Sequence, residues 1–197
     1  MRRTPLTFVI LLALLAWPMA AGAHQETGSA TGFLSGLHHP VSGWDHILAM
    51  VAVGLWGAQL GAPAVWALPV AFPMVMALGG ALGLMGIALP GVEIGIAFSA
   101  MVLGTMVLGK VRPPLWVAGA IVGFFAIFHG HAHGTELPPN ASAIMYSIGF
   151  VVGTGLLHAV GITIGLVQRW KPGDFVLRAA GFVVTAGGVY FLWAALR

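Results

Sequence analysis

From residue 43 onward the chain alternates long apolar stretches with short breaks that hold most of its proline and charge. Six stretches run approximately over 43–61, 64–88, 92–109, 114–131, 142–168 and 175–196. Each approaches the roughly 20 residues a helix needs to cross the hydrocarbon core of a bilayer. The breaks are Ala62-Pro63, Leu89-Pro90-Gly91, Lys110 to Pro114, Gly134 to Asn140 and Arg169 to Asp174. This pattern predicts an all-α integral membrane protein with about six transmembrane helices. They form a single domain over 24–197, with no internal repeat.

The segment ahead of these stretches has a different pattern. Arg2 and Arg3 precede a ten-residue apolar run, Phe8 to Trp17, and Ala21-Gly22-Ala23 supplies small residues at the spacing of a cleavage site. Residues 1–23 therefore read as a secretory signal peptide, too short to span, whose removal leaves His24 first. A Gly/Ser/Thr stretch at 27–32 then leads to the first span. A mature chain that starts outside and crosses six times has both termini periplasmic. Lys110, Arg112, Arg169, Lys171 and Arg178 then all lie in or beside cytoplasmic loops, with Arg197 the exception among the mature cations. That is the asymmetry the positive-inside rule expects.

Composition sharpens this picture. The chain has 197 residues, 59% hydrophobic and only 7% charged, far too little polar surface for a water-soluble globule. Its 29 glycines suit close helix approach in lipid. The spacings Gly57/Gly61, Gly79/Gly83, Gly119/Gly123, Gly149/Gly153 and Gly161/Gly165 read as tight-packing faces, and Trp66, Trp116, Trp170 and Trp193 as interfacial anchors. With no cysteine, disulfides and thiolate metal sites are excluded. A formal charge of +3 gives no basic field for nucleic acid. A homo-oligomer is left open.

Eight histidines exceed five acidic residues, and most of both map to the external end. Ionisable groups inside spans are costly, so they pair or serve transport. In His38-His39-Pro40-Val41-Ser42-Gly43-Trp44-Asp45-His46, Pro40 suits the first position of a helix, which would put His39 and His46 on one face two turns apart. Asp45 either binds an ion directly or holds the His46 imidazole in one tautomer. In Phe128-His129-Gly130-His131-Ala132-His133-Gly134-Thr135-Glu136, a continuing helix places His129, His133 and Glu136 on one side and His131 on the other. Such an N/N/O set suits a borderline divalent ion such as nickel, cobalt or zinc. If Gly130 and Gly134 end the helix early, the same residues form a His-rich loop. Glu93 either joins this set or complements a helix N-terminus. His158, deep in the fifth stretch, is either a packing residue or a step along an ion path. His24 with its free amine is either a chelating pair or a loose end.

These two motifs resemble those of the HupE/UreJ family of nickel and cobalt permeases. The family pattern His-Pro-x-x-Gly-x-Asp-His is matched by His39-Pro40-Val41-Ser42-Gly43-Trp44-Asp45-His46. The pattern Phe-His-Gly-x-Ala-His-Gly-x-Glu is matched by Phe128 to Glu136. Val53-Gly54-Leu55-Trp56-Gly57 and Val92-Glu93 also look like the family, and the similarity extends over the whole mature chain. The resemblance implies a secondary transporter that takes up Ni2+ or Co2+ across a bacterial inner membrane, supplying hydrogenase or urease maturation. The ion would be a transported substrate, with no resident cofactor and no catalysis. His39, Asp45, His46, Glu93, His129, His133, Glu136 and His158 are then the candidate metal-binding residues. Two other readings compete. Three histidines with Asp45 can hold Zn2+, with Glu136 as base, in an intramembrane hydrolase. A sensor or accessory subunit would bind metal without carrying it. No Walker motif is present, so the chain carries no nucleotide-hydrolysing site of that kind.

Overall fold

The computed structural model describes residues 29–138, 141–170 and 172–197. The expected signal peptide at 1–23 and His24 lie outside the described residues. The helices are α1 (Ser29–His38), α2 (Trp44–Leu60), α3 (Ala64–Leu84), α4 (Val92–Leu108), α5 (Leu115–Thr135), α6 (Ala143–Gly165) and α7 (Gly173–Ala195). Short 3₁₀ turns, His39–Val41 and Leu166–Arg169, follow α1 and α6, and no strand occurs among the described residues. Helices α3, α5, α6 with its 3₁₀ extension, and α7 are long and apolar enough to cross a membrane, and α4 is a shorter apolar helix of 17 residues.

All six apolar stretches form helices, with several bounds moved. The second stops at Leu84, short of residue 88, because Gly86 adopts φ +70° and closes a helix cap. The Ile87 amide donates to the Leu82 carbonyl (3.0 Å) and the Gly86 amide to the Gly83 carbonyl (3.0 Å), a Schellman arrangement that an L side chain at 86 would strain. The fourth runs past residue 131 to Thr135, so Gly130 and Gly134 do not break it. The first opens at Trp44, not at Pro40. Pro40 instead sits in the 3₁₀ turn, and extended Gly43 caps α2. Helix α1 was not expected. Its ten residues are too few to span.

Burial is inverted in chemistry relative to a soluble protein. Large apolar residues such as Val70, Met74, Leu78, Ile144, Phe175 and Phe182 face outward, toward lipid. Trp66, Trp116, Trp170 and Trp193 are all exposed near helix ends, as anchors require. The core is α2, buried almost all round from Ala49 to Gln59 and packed against α3, α4, α6 and α7.

Lipid supplies no hydrophobic force between helices, so close packing must come from small residues. The most extensive contacts pair α3 with α5, α4 with α7, α2 with α6 and α1 with α6. At each pair, glycines bring backbone against backbone. A Cβ on Gly130 would strike the Met76 carbonyl, one on Gly134 the Gly80 carbonyl, and one on Gly79 the Ile127 carbonyl. Gly149 meets Phe33 of α1, and Gly161 meets Val51 of α2. Three of the five spaced glycine pairs, Gly79/Gly83, Gly149/Gly153 and Gly161/Gly165, pack tightly as expected. Gly119/Gly123 does not: Gly119 has open space around it and Gly123 only a loose contact with Val75. Gly61 also faces open space, at φ +82°, where it ends α2.

The two ends of the bundle are chemically unlike. At one end, Lys110 Nζ pairs with Asp174 (2.5 Å), tying the α4–α5 loop to the start of α7. Arg178 lines the same surface. The histidine-rich motifs meet at the other end.

These contacts separate packing glycines from free ones. Gly130→Ala should destabilise the protein by about 1–3 kcal/mol, the usual cost of overpacking, read as a clear fall in thermal midpoint in detergent. Gly119→Ala should leave the midpoint unchanged or raise it.

Candidate metal centre

The centre is assembled from α1, the His39–Val41 turn, and the adjoining ends of α2, α4, α5 and α6. Helix α1 lies along the first half of α6 through Gly36 and Gly149, and so carries His39 over the end of the bundle. The following turn is closed by Ser42, whose hydroxyl and amide both donate to the His39 carbonyl (2.6 and 3.1 Å). The chain then reverses through Gly43. A Cβ there would lie 2.6 Å from Asp45 Oδ1 and 3.3 Å from His46 Nδ1, so glycine is what lets these two side chains fold back. His39 and His46 are therefore neighbours across a bend and not two turns of one helix, which corrects the sequence-based geometry.

Helix α5 supplies the other half. Its regular turns carry His129 and His133 on one face, and Glu136 caps its C-terminus. The continuous-helix reading holds up to Thr135, and the loop alternative falls. His131 points the other way, as helical spacing predicted, and its Nε2 donates to the Ile87 carbonyl (2.7 Å). It thus fastens the loop after α3. Beyond that loop, Gly91 at φ +70° turns the chain into α4, with Glu93 in its first turn.

The halves converge on His133. Its ring lies 4.6 Å from that of His39, 4.7 Å from that of His46 and 4.0 Å from Phe150. His39 Nε2 donates to Glu136 Oε2 (2.9 Å). His39, His133 and Glu136 each offer a ligand atom, and these atoms lie within 4.8 Å of one another. One level deeper, the rings of His46 and His129 stand 4.8 Å apart. A cleft of about 220 Å³ reaches His39, Asp45, His46, Glu93 and Glu136.

Hydrogen bonds select which imidazole nitrogens are free. His46 Nδ1 donates to Asp45 Oδ1 (3.1 Å), which leaves Nε2 buried without a partner. Ser99 donates its hydroxyl to the Ile96 carbonyl (2.6 Å), so its oxygen accepts from His129 Nε2 (2.9 Å). His129 Nδ1 is then the lone-pair nitrogen, also buried without a partner. Neither nitrogen of buried His133 has a partner. Buried polar atoms are nearly always satisfied, so unpartnered nitrogens on the adjoining rings of His46, His129 and His133 mark a place where a ligand would find partners. At the rim, burial holds the His39 imidazole below its ordinary range, although the Glu136 carboxylate pulls the other way.

Of the eight sequence-predicted residues, His39, Asp45, His46, Glu93, His129, His133 and Glu136 gather here. His158 does not. It lies deeper on α6, separated from His129 by Phe72, whose ring stands 5.5 Å from each. Sequence reasoning missed Ser99, an isolated serine in an apolar helix, and α1. The spacing Gly32/Gly36, small residues one turn apart, was the available sign of α1.

Comparison with known proteins agrees with the motifs. The family model described as HupE / UreJ protein matches residues 12–191. The chain belongs to the HupE/UreJ family. It is 49% identical to Protein HupE of Rhizobium leguminosarum bv. viciae over 181 residues, 92% of this chain and 94% of that protein. No solved structure matches it. The family resemblance read from the two motifs is thereby borne out, and with it a multi-pass protein of the inner membrane.

The Ser99 contact has a measurable consequence. Ser99→Ala removes the acceptor that fixes the His129 tautomer and should weaken nickel binding by about tenfold, as loss of a ligand-orienting partner does. The thermal midpoint should hardly change, so equilibrium dialysis against NiCl2 beside a melting curve separates orientation from folding.

Proposed function

We propose that this chain is a permease, not an enzyme, that takes up Ni2+ or Co2+ from the periplasm across the inner membrane for hydrogenase or urease maturation. Family membership supports the class. The observation that carries the reading is the contact of the His46 ring with those of His129 and His133, each of the three holding a buried unpartnered nitrogen, beside a cleft lined by Asp45, Glu93 and Glu136. Imidazole and carboxylate together suit borderline divalent ions.

In this reading the mature chain begins at His24 and crosses the membrane six times, with the cleft periplasmic. The Lys110–Asp174 pair supports it, because it gathers the cationic loops at the end away from the histidines. Glu93 and Glu136 attract the hydrated ion and balance its charge where the dielectric falls. The ion breaks the His39–Glu136 hydrogen bond, takes the Glu136 carboxylate and the lone-pair nitrogen of neutral His39, gains His133, and exchanges remaining water for His46 Nε2 and His129 Nδ1. Asp45 holds His46 and adds a compensating charge. Each step must bind well enough to strip water and weakly enough to release, the compromise of any conduction path. His158 is the next group inward.

Replacing Asp45, His46, His133 or Glu136 with Ala should nearly abolish uptake of radioactive nickel by cells while the protein still accumulates in the membrane. His131→Ala should be mild, since that side chain fastens a loop on the other face of α5. Equal damage from His131→Ala and His133→Ala would contradict the proposal.

Acid should also inhibit uptake, with the onset shifted. Ligation needs neutral imidazole, and the ordinary histidine pKa is about 6.5. Because burial lowers the His39 value, its proton returns only at more acid pH. Initial uptake rates should therefore hold through about pH 6.5 and fall below it. A loss already complete at that pH would show that the pairing with Glu136 outweighs burial.

Orientation has its own check. A reporter fused after Arg112 or Lys171 should report cytoplasm, and one after Pro139 should report periplasm. A periplasmic signal at Lys171 would put the cleft on the wrong side.

A further inference from the structure

Helix α6 carries a stripe of side chains at helical spacing, Phe150, Thr154 and His158. Phe150 packs against His133 at the cleft end, its ring tilted by 49°. Thr154 lies about 6 Å further along the axis and His158 about 12 Å, from the rise per residue. Both are essentially completely buried, at 0% and 1% exposure. The Thr154 hydroxyl and both His158 nitrogens lack hydrogen-bond partners. The missing bond at Thr154 is unusual, because a helical threonine ordinarily returns its hydroxyl to a carbonyl one turn back. Thr105, Thr163 and Thr185 in this protein do so.

The facing helix supplies a third polar group. Helix α3 contains Pro69 and Pro73. Pro73 has no N–H to give to the Pro69 carbonyl four residues earlier. That carbonyl lies on the helix that packs on His158, whose ring stands 5.5 Å from that of Phe72 and whose nitrogens both lack partners. In a membrane interior, backbone groups freed by proline are tolerated only where something else satisfies them. An imidazole and a hydroxyl from the interior of α6 and a carbonyl from the second turn of α3 thus share one need in a place without bulk water. Phe72, next to Pro73, closes this region off from His129.

We propose that His158, Thr154 and the Pro69 carbonyl form a second, interior site for a divalent cation, distinct from the cleft and separated from it by the Phe72 ring. The site takes an ion of the same borderline N/O class after it has shed part of its water. It rests on the reading of the chain as a permease, in which it is the resting point between the external cluster and the far side. The prolines of α3 then have a purpose, since they expose a backbone ligand where a regular helix would hide it.

Three substitutions test it. Thr154→Val keeps the volume and removes only the hydroxyl. Pro73→Ala restores an N–H that can bond the Pro69 carbonyl. His158→Ala removes the imidazole. Purified protein in nanodiscs is equilibrated with NiCl2, bound metal is counted per chain, and nickel flux is measured in proteoliposomes. His158→Ala should bind one Ni2+ fewer than the unaltered chain, with the affinity of the remaining site unchanged. Thr154→Val and Pro73→Ala should lower maximal flux by about tenfold, the usual scale for a lost ligand or orienting group, with the half-saturating concentration unchanged. Both should fold at least as stably as the parent, since each removes a buried unsatisfied group. Unaltered stoichiometry in His158→Ala together with parental flux in Thr154→Val would overturn the interior site. If the unaltered chain carries no nickel, the permease reading fails, and the metal count alone still decides the interior site.

Discussion

Everything at the metal centre depends on the backbone contact between α3 and α5. Gly79 and Gly83 on one helix and Gly130 and Gly134 on the other let carbonyls touch where any side chain would intrude. Without a hydrophobic force between helices, this contact supplies dispersion and fixes axial register. The register decides whether His129 and His133 stand level with His46 and His39. Two glycines of the second motif are therefore packing residues interleaved with the candidate ligands. The motif reads Phe-His-Gly-His-Ala-His-Gly because one helix face must be polar while the adjoining face must be bare.

The same arrangement has a cost. Each buried polar atom left unpaired costs about 1–3 kcal/mol, and His46, His129, His133, Thr154 and His158 all carry at least one. On the permease reading, the fold tolerates so many because the transported ion supplies their partner. Asp45 and Ser99 sharpen the effect, because each occupies one nitrogen of its histidine while the other stays bare. A bound cation would replace several unsatisfied groups at once, which couples ion occupancy to stability.

Much of this was legible in the sequence because membrane chemistry writes in long words. Six apolar stretches gave six helices, and the helical spacing of His129, His133 and Glu136 gave their common face and the opposite face of His131. Three limits were physical. Helix α1 has only ten residues and is held by packing on α6, so hydropathy could not reveal it. Pro40 is compatible with both an α-helical start and a 3₁₀ turn, and the choice was made by Gly43, whose missing side chain admits Asp45 and His46 at a bend. Ser99 carries no sequence signal, since its role depends on a long-range neighbour. The same holds for glycine: Gly119/Gly123 and Gly79/Gly83 have identical spacing, yet only the second pair meets the backbone of another helix.

The central claim is that imidazoles of the two motifs jointly hold the transported ion. X-ray absorption at the nickel edge, on purified protein loaded with one equivalent of Ni2+ in nanodiscs, reads this directly. The account predicts a mixed nitrogen and oxygen shell with the outer-shell scattering of imidazole rings, reduced in both His46→Ala and His133→Ala. A spectrum matching hydrated nickel, or one that neither substitution alters, would contradict it.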